Sequence, residues 1–456
     1  MAQKCPVSDA VYTARLEKIF HRVLAPLNDF IQQQITGSVL LIVCAGLALF
    51  LANSPWGESY LQFLHEDFSL TLSGKSFSMS LLHWINDALM TLFFLLMGME
   101  LKRELLVGEL ASFRRALLPI IAACGGMIVP ALLYFSLNPN GIAAAGWGIS
   151  MATDIAFAVG VLSLLGTRVP KSLFIFLIAL AIVDDLGAVL VIAIFYTQTI
   201  SPPALLLCAG LTGILVLLNL GGIQRILPYM LLGIFLWCAM LSSGVHATIA
   251  GVILAFCIPI RPKSPPEYFV REVSMFSQEL QKNLHAKSSI QMNEALQHKI
   301  AKLEKCLEQV QAPAQRLESS LHVYVTYLVV PIFALANAAV PITLTNLKEQ
   351  ASNPIILGVV SGLLLGKLVG ITGATWLAVK SGKAALPDDL RMRHIIGVGL
   401  LGGIGFTMSI FVADLGFSGY PHELLMAKTG ILLASILAGI SGFLWLYFFA
   451  KSRNKS

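Results

Sequence analysis

Residues 172–197 read SLFIFLIALAIVDDLGAVLVIAIFYT, an apolar run whose middle carries two adjacent aspartates, Asp184 and Asp185. A helix crosses the hydrocarbon core of a bilayer with about 20 apolar residues, so the run reads as a membrane span. A charge at the bilayer centre costs roughly 2.5–3.5 kcal/mol on insertion scales. Function is the usual reason for tolerating that cost.

Adjacent carboxylates repel, and neighbours on a helix point about 100° apart, so one fixed cation does not easily satisfy both. The pair makes sense if its partner is mobile: a proton, or a hard cation wanting oxygen ligands. Burial and mutual repulsion both disfavour the charged form of a carboxylate, and two such groups titrate as one coupled unit. Protons and Na+ then compete for the same oxygens. A site that holds either, and changes face only when loaded, exchanges one for the other.

Two more ionisable residues sit mid-run: Asp154 in ISMATDIAFA (149–158) and Lys367 in LLGKLVG (364–370). A lone intramembrane Asp or Lys is often half of a structural ion pair; the aspartate pair resists that reading. Gly146, Gly148, Ser150 and Thr153 precede Asp154, and Gly397, Gly399, Gly402, Gly403 and Gly405 precede Thr407. Each glycine weakens a helix by roughly 1 kcal/mol relative to Ala, so both spans are expected to be interrupted. Irregular backbone is tolerated at membrane depth only where protein buries it or water reaches it. Interrupted segments in corresponding positions of two halves point to an inverted-repeat transporter with a midplane site. Asp154 then neutralises positive helix N-termini and Lys367 negative C-termini. Close helix packing is the plainer account of any one glycine.

The rest of the chain agrees. Of 456 residues, 56% are hydrophobic and 12% charged, about half the charged share of a soluble domain; the mean hydropathy is +0.78. Apolar runs fall at roughly 36–52, 84–101, 117–136, 145–166, 172–197, 203–220, 227–243, 245–260, 322–342, 355–379, 394–414 and 423–449, about twelve spans in all. Arg and Lys gather in alternate loops, as in Lys102, Arg103, Arg114 and Arg115 after span 2, while the other loops hold only Lys75 and Lys348. The positive-inside rule then places both termini in the cytoplasm. The net charge of +6 reflects this orientation, and no nucleic-acid partner is expected. The seven cysteines form no CxxC pair and read as small buried side chains. Residues 1–30 lack the apolar core and cleavage site of a signal peptide.

The expected fold is an all-α polytopic membrane protein of about twelve transmembrane helices, with inverted repeats in spans 3–5 and 10–12 and discontinuous crossing helices at spans 4 and 11. The divisions are a cytoplasmic amphipathic segment 1–35, spans 1–8 over 36–261, a cytoplasmic insert 262–321, spans 9–12 over 322–449 and a cytoplasmic tail 450–456. In the first segment Tyr12, Leu16, Ile19, Phe20 and Val23 recur at helical spacing. FSLTLSGKSFSM (68–79) alternates about Ser73-Gly74 and predicts a periplasmic β-hairpin near 66–80, whose edge is a candidate homodimer contact. In the insert, Met292, Leu296, Ile300, Leu303, Leu307 and Val310 follow steps of four and three, as in a short coiled coil or helical hairpin.

The assembled motifs resemble the NhaA-type bacterial Na+/H+ antiporters. WINDALM (84–90), GMELKREL (98–105), ATDIAFA (152–158), DDLGA (184–188), SGVHAT (243–248) and GIGFTMSIF (403–411) carry the likeness, which runs from about 36 to 449 around the insert. The inverted-repeat logic is itself drawn from transporters that include this family, so it is not independent of the resemblance. The resemblance implies that Asp184 and Asp185 bind Na+ or Li+ and protons, with Asp185 the principal ligand. Thr153 and Asp154 then lie at one helix break and Gly403, Gly405 and Thr407 at the other. Lys367 compensates the facing helix ends and pairs with Asp184 when Na+ is absent. Exchange is implied to be electrogenic, in the bacterial inner membrane, and to need no cofactor. It also rises at alkaline pH through a cytoplasmic cluster, here Glu100, Arg103, Glu104, Glu318 and His322, with His246 structural or modulatory. Ser319 stands where the family commonly has a second histidine, and Leu368 where a proline is common, which puts the pH profile and the local helix geometry apart from the usual pattern.

Rival functions leave other signatures. An intramembrane aspartyl protease needs carboxylates on two separate helices, commonly within Gly-Xaa-Gly-Asp, which this chain lacks. A cation channel usually gathers charges in rings through oligomeric symmetry. A Na+/solute symporter on the same fold is the nearest alternative.

Overall fold

A computed structural model describes residues 34–72, 75–197, 200–283, 294–341 and 352–449. The amphipathic segment expected before residue 34 and the Ser73-Gly74 turn lie outside the described residues. The described residues open with α1 (Gln34–Ala52), which turns by 111° into the short surface helix α2 (Gly57–His65). Strands β1 (Asp67–Leu72) and β2 (Lys75–Ser80) pair antiparallel in the register Asp67↔Ser80 and Phe68↔Met79. Then come α3 (Leu81–Leu106) and α4 (Phe113–Leu137).

The fourth apolar run is broken. A 3₁₀ segment, Ile142–Met151, meets α5 (Ile155–Leu164) at 43°. The run quoted at the outset is one continuous helix, α6 (Lys171–Phe195). It is followed by α7 (Pro202–Leu220), α8 (Ile226–Leu241) and α9 (Ile249–Cys257). These last two, of 16 and 9 residues, are shorter than a full span.

The insert forms α10 (Pro266–Asn283) and α11 (Glu294–Val310). They pack as a helical pair tied by Lys302 to Glu272 at 2.9 Å; Met292 of the apolar repeat lies outside the described residues. Four elements complete the described residues: α12 (Pro313–Asn337), α13 (Pro354–Lys380), the broken pair α14 (Met392–Leu401) and α15 (Phe406–Gly416), bent by 49°, and α16 (Pro421–Phe449). Proline opens α7, α12, α13 and α16, where its missing N–H has no helical partner to lose.

Among the described residues, seven helices are long and apolar enough to cross a membrane singly. Their outer faces are apolar: Leu206, Leu217 and Leu220 of α7 are 77%, 67% and 79% exposed. Such a surface suits lipid, and the chain is a multi-pass membrane protein.

Two ties show how the halves are related. Near the start of α3, Asn86 bonds Asn337 at the end of α12, and near the end of α3 Arg103 pairs with Glu318 at the start of α12. The two helices are therefore antiparallel, and α4 and α13, which follow them, begin on opposite faces. The unit α4, broken span, α6 is thus repeated upside down as α13, broken span, α16. The units interlock where α4 meets α13. A Cβ on Gly125 would lie 2.3 Å from the Gly370 carbonyl oxygen, and one on Gly370 would lie 2.2 Å from that of Gly125. Only glycine permits this approach, and it sets Lys367, one turn before Gly370, deep in the bundle.

Candidate ion-binding site

The aspartate pair lies at the middle of α6, with Asp184 and Asp185 1% and 4% exposed. Lys367 ends a π-helical turn, Gly362–Gly366, within α13. Its aliphatic chain passes the Gly126 face of α4, where a Cβ would lie 3.8 Å from Lys367 Cδ. Its ammonium, wholly buried, donates to Asp184 Oδ2 at 2.6 Å. Asp184 Oδ1 and both oxygens of Asp185 are buried with no hydrogen-bond partner. Bare buried carboxylate oxygens are costly unless something binds them. The set is all oxygen, the donor type a hard cation prefers, so these residues fit Na+ as substrate. A cavity of about 20 Å³ bounded by Phe94, Met97, Gly98, Ile182 and Val252 reaches Asp185, room for about one water.

The two breaks hold one another. Asp154 caps α5 by accepting from Phe157 N at 3.1 Å, and its other oxygen accepts from Thr407 N at 3.1 Å and from the Thr407 hydroxyl. One carboxylate thus sits at the N-termini of α5 and α15, where the helix dipoles favour negative charge. The negative ends are met differently. The Thr153 hydroxyl donates to Gly402 O at 2.9 Å, Asp154 N to Ile404 O at 2.7 Å, and Ser409 Oγ to Ile149 O at 2.8 Å. Lys367 hydrogen-bonds Asp184 rather than these helix-end carbonyls. Neutral donors from the opposite break satisfy these carbonyls directly. Gly403 and Gly405 lie in the second break itself.

Four of the five expected cytoplasmic residues meet through Arg103, which lies 2.8 Å from Glu318, 3.5 Å from Glu104 and 3.9 Å from Glu100. His322 lies one turn beyond Glu318 on α12, within the field of Arg103. His246 is far from this cluster. Its Nε2 faces Asp87 at 3.4 Å near the start of α3, and its Nδ1 faces Thr248 Oγ1 at 2.8 Å.

The sequence model of the family described as Na+/H+ antiporter 1 matches residues 28–446 of this chain. The chain belongs to the Na+/H+ antiporter family. It is similar along nearly its whole length to curated members of it. "Na(+)/H(+) antiporter NhaA 1" of Saccharophagus degradans is 50% identical over 433 residues, covering 95% of this chain and 93% of that protein. "Na(+)/H(+) antiporter NhaA" of Sulfurimonas denitrificans is 47% identical over 438 residues, covering 96% and 98%. That of Syntrophobacter fumaroxidans is 47% identical over 442 residues, covering 95% and 92%. The protein is a transporter rather than an enzyme, with Na+ and H+ as its transported ions, and the symporter alternative falls away.

The antiporter also holds a polar network that the sequence reading missed. Asn86 Nδ2 donates to Asp414 Oδ2 at 3.0 Å, Asn337 Nδ2 to Asn86 Oδ1 at 2.7 Å, and Lys428 pairs with Asp414 Oδ1 at 3.0 Å. Lys428 within AKTGILLAS and Asp414 within FVADLG were the available signals, each a charge inside an apolar run. Lys102, read from the sequence as a basic residue of the loop after span 2, lies instead within α3. It is buried, and it donates to Phe256 O at 2.7 Å and Ile258 O at 2.5 Å, closing the C-terminus of α9.

Proposed function

We propose that this antiporter exchanges cytoplasmic Na+ or Li+ for external protons at Asp184 and Asp185, by alternating access of one midplane site. The observation that carries the reading is the set of three partnerless buried oxygens beside the Lys367–Asp184 pair. With Na+ away, Lys367 neutralises Asp184 and a proton neutralises Asp185. Na+ arriving at Asp185 competes with that proton and draws Asp184 from the lysine, since both carboxylates are needed to replace the cation's water. The pair offers two proton-binding groups for one cation, which supports electrogenic exchange. Asp154 and Thr153 keep the broken helices in register around the site, with Gly403, Gly405 and Thr407 supplying the second break.

The Arg103 cluster, with Glu100, Glu104, Glu318 and His322, faces the side carrying the basic loops and the insert. We take that side as cytoplasmic by the positive-inside rule, with both termini there, in the bacterial inner membrane. Protonation in this cluster sets the pH response. The β1–β2 hairpin then lies outside the membrane, and pairing of its exposed edge with a second copy supports a homodimer. The apolar outer faces of α7 and α16 are the lipid contact.

The test uses everted membrane vesicles from an antiporter-deficient bacterium expressing the chain. Respiration acidifies the lumen, and a pH-sensitive dye reports proton release on adding Na+, Li+ or K+. Release with Na+ and Li+ that vanishes in Asp185→Asn supports the site; unchanged release in that variant overturns it.

A further inference from the structure

Sequence and packing place a chain of exchangeable groups between the hairpin side of the protein and the aspartate pair. The side chain of His83, in the first turn of α3, is 61% exposed, and its Nε2 lies 3.1 Å from Asp87 Oδ2. The other oxygen of Asp87 lies 3.4 Å from Nε2 of buried His246, whose Nδ1 lies 2.8 Å from Thr248 Oγ1. Asp87 sits in a π-helical turn, Ile85–Leu89, which rotates its carboxylate away from plain helical register and between the two rings. Thr248 borders a narrow space also lined by Phe94, Val189, Ile192 and Val252, too tight for water. Phe94, Val189 and Val252 line as well the cavity that reaches Asp185. These three apolar side chains are the wall that the two spaces share.

The barrier is tied to a crossing helix. Phe411 of α15 packs on Phe94 with ring centroids 5.5 Å apart and edge-on to His246 at 5.3 Å. A shift of α15 moves the one ring that backs both the barrier and the relay.

We propose that His83, Asp87 and His246 form the outer proton-uptake relay of this antiporter, on a route that Phe94, Val189 and Val252 close and that Phe411 opens as α15 moves. The inference rests on the site and orientation proposed above. A proton from the external solution binds His83 and passes to Asp87, from there to His246 Nε2, and the Nδ1 proton leaves towards Thr248. Each group gives up one proton for the one it accepts, so one H+ moves and nothing else changes. Imidazoles suit this work because their charge changes near neutral pH. Several other charged groups at this end are paired with one another or exposed to solvent, His422 at the start of α16 among them. Asp414 and Lys428 pair with one another at 3.0 Å and reach α3 through Asn86. Glu58, His65, Glu66 and Asp67 of α2 and β1 are exposed to solvent. From α8, Trp237 packs on Trp84 rather than on Asp87.

The experiment compares wild type, His83→Ala, His83→Arg and Asp185→Asn in right-side-out vesicles. Na+ efflux is followed while external pH is varied at fixed internal pH. His83→Ala is expected to slow efflux several-fold at alkaline external pH, where protons are scarce, with the internal Na+ concentration for half-maximal rate unchanged, and external imidazole to restore the rate. His83→Arg keeps a cation beside Asp87 but does not cycle a proton, so it is expected to be as slow as His83→Ala. A wild-type rate in His83→Arg reduces the contact to a structural ion pair and overturns the relay. So does an unaltered external-pH profile in His83→Ala, or a defect that follows internal pH instead. Asp185→Asn reports separately on the ion site: exchange persisting there overturns the site, whatever His83 does.

Discussion

The carboxylate of Asp154 accepts the backbone N–H of Thr407 at 3.1 Å across 253 positions of sequence, and its neighbouring oxygen caps the helix that Asp154 itself begins. One side chain therefore terminates two helices from opposite halves of the chain. Losing a helix cap costs about 1 kcal/mol. Asp154→Ala is expected to lose about twice that and to melt at lower temperature in detergent. Asp154→Asn keeps a carbonyl acceptor and should lose less. Equal melting temperatures for Asp154→Ala and wild type would show that water replaces the cap.

The buried Lys367–Asp184 pair predicts an asymmetry between single and double variants. Removing one partner of a buried pair costs about 3–5 kcal/mol, because the other charge is stranded. Lys367→Ala should be strongly destabilised, and adding Asp184→Asn should recover most of the thermal stability without recovering exchange. A double variant no more stable than Lys367→Ala would mean that the lysine supports the fold through packing alone.

Arg103 holds three glutamates from two helices. With its cation gone, less positive charge keeps Glu318 ionised, so Arg103→Ala should move the pH profile of exchange towards alkaline values while the maximal rate survives. The dye assay over a range of pH measures this directly. A profile that stays in place removes the cluster from pH control.

At the contact of α4 with α13 there is no room for a methyl group. Gly125→Ala should push the helices apart, and overpacking of this kind costs typically 1–3 kcal/mol. Exchange should fall with stability, since the same contact sets the depth of Lys367. Gly210→Ala on α7, where a Cβ would meet nothing within 4 Å, is the control expected to behave as wild type.

Much of this is legible in the sequence. Long apolar runs give spans because lipid leaves the backbone no other way to satisfy its hydrogen bonds, and charges inside them marked Asp154, Asp184, Asp185 and Lys367. Glycine was the ambiguous signal. In the second crossing segment the break falls among Gly402, Gly403 and Gly405, as the cluster implied. In the first it falls at Ala152–Asp154, after Gly146 and Gly148. Those two instead make room for rings: a Cβ would lie 2.3 Å from Tyr134 Oη at Gly146 and 2.7 Å from Tyr196 Oη at Gly148. A glycine that breaks a helix and one that admits a neighbour look alike in one dimension. Helix α12 begins at Pro313, well before the apolar part of its span, because Gln315, Arg316, Glu318 and Ser319 are helical yet polar. Asp414 stood out as a charge in an apolar run, but nothing local named Asn86, 328 positions away, as its partner.

The reciprocal bonding of the two breaks bears on how such a chain can change over generations. Thr153 answers Gly402, Asp154 answers Ile404 and Thr407, and Ser409 answers Ile149. If the halves descend from one duplicated unit, their outer surfaces were free to drift apart, and the unequal loops and the insert show how far they have. At the crossing there was no such freedom. A change in either copy leaves a polar group stranded in the other, so the two segments are inherited as a matched pair, each the condition for keeping its twin.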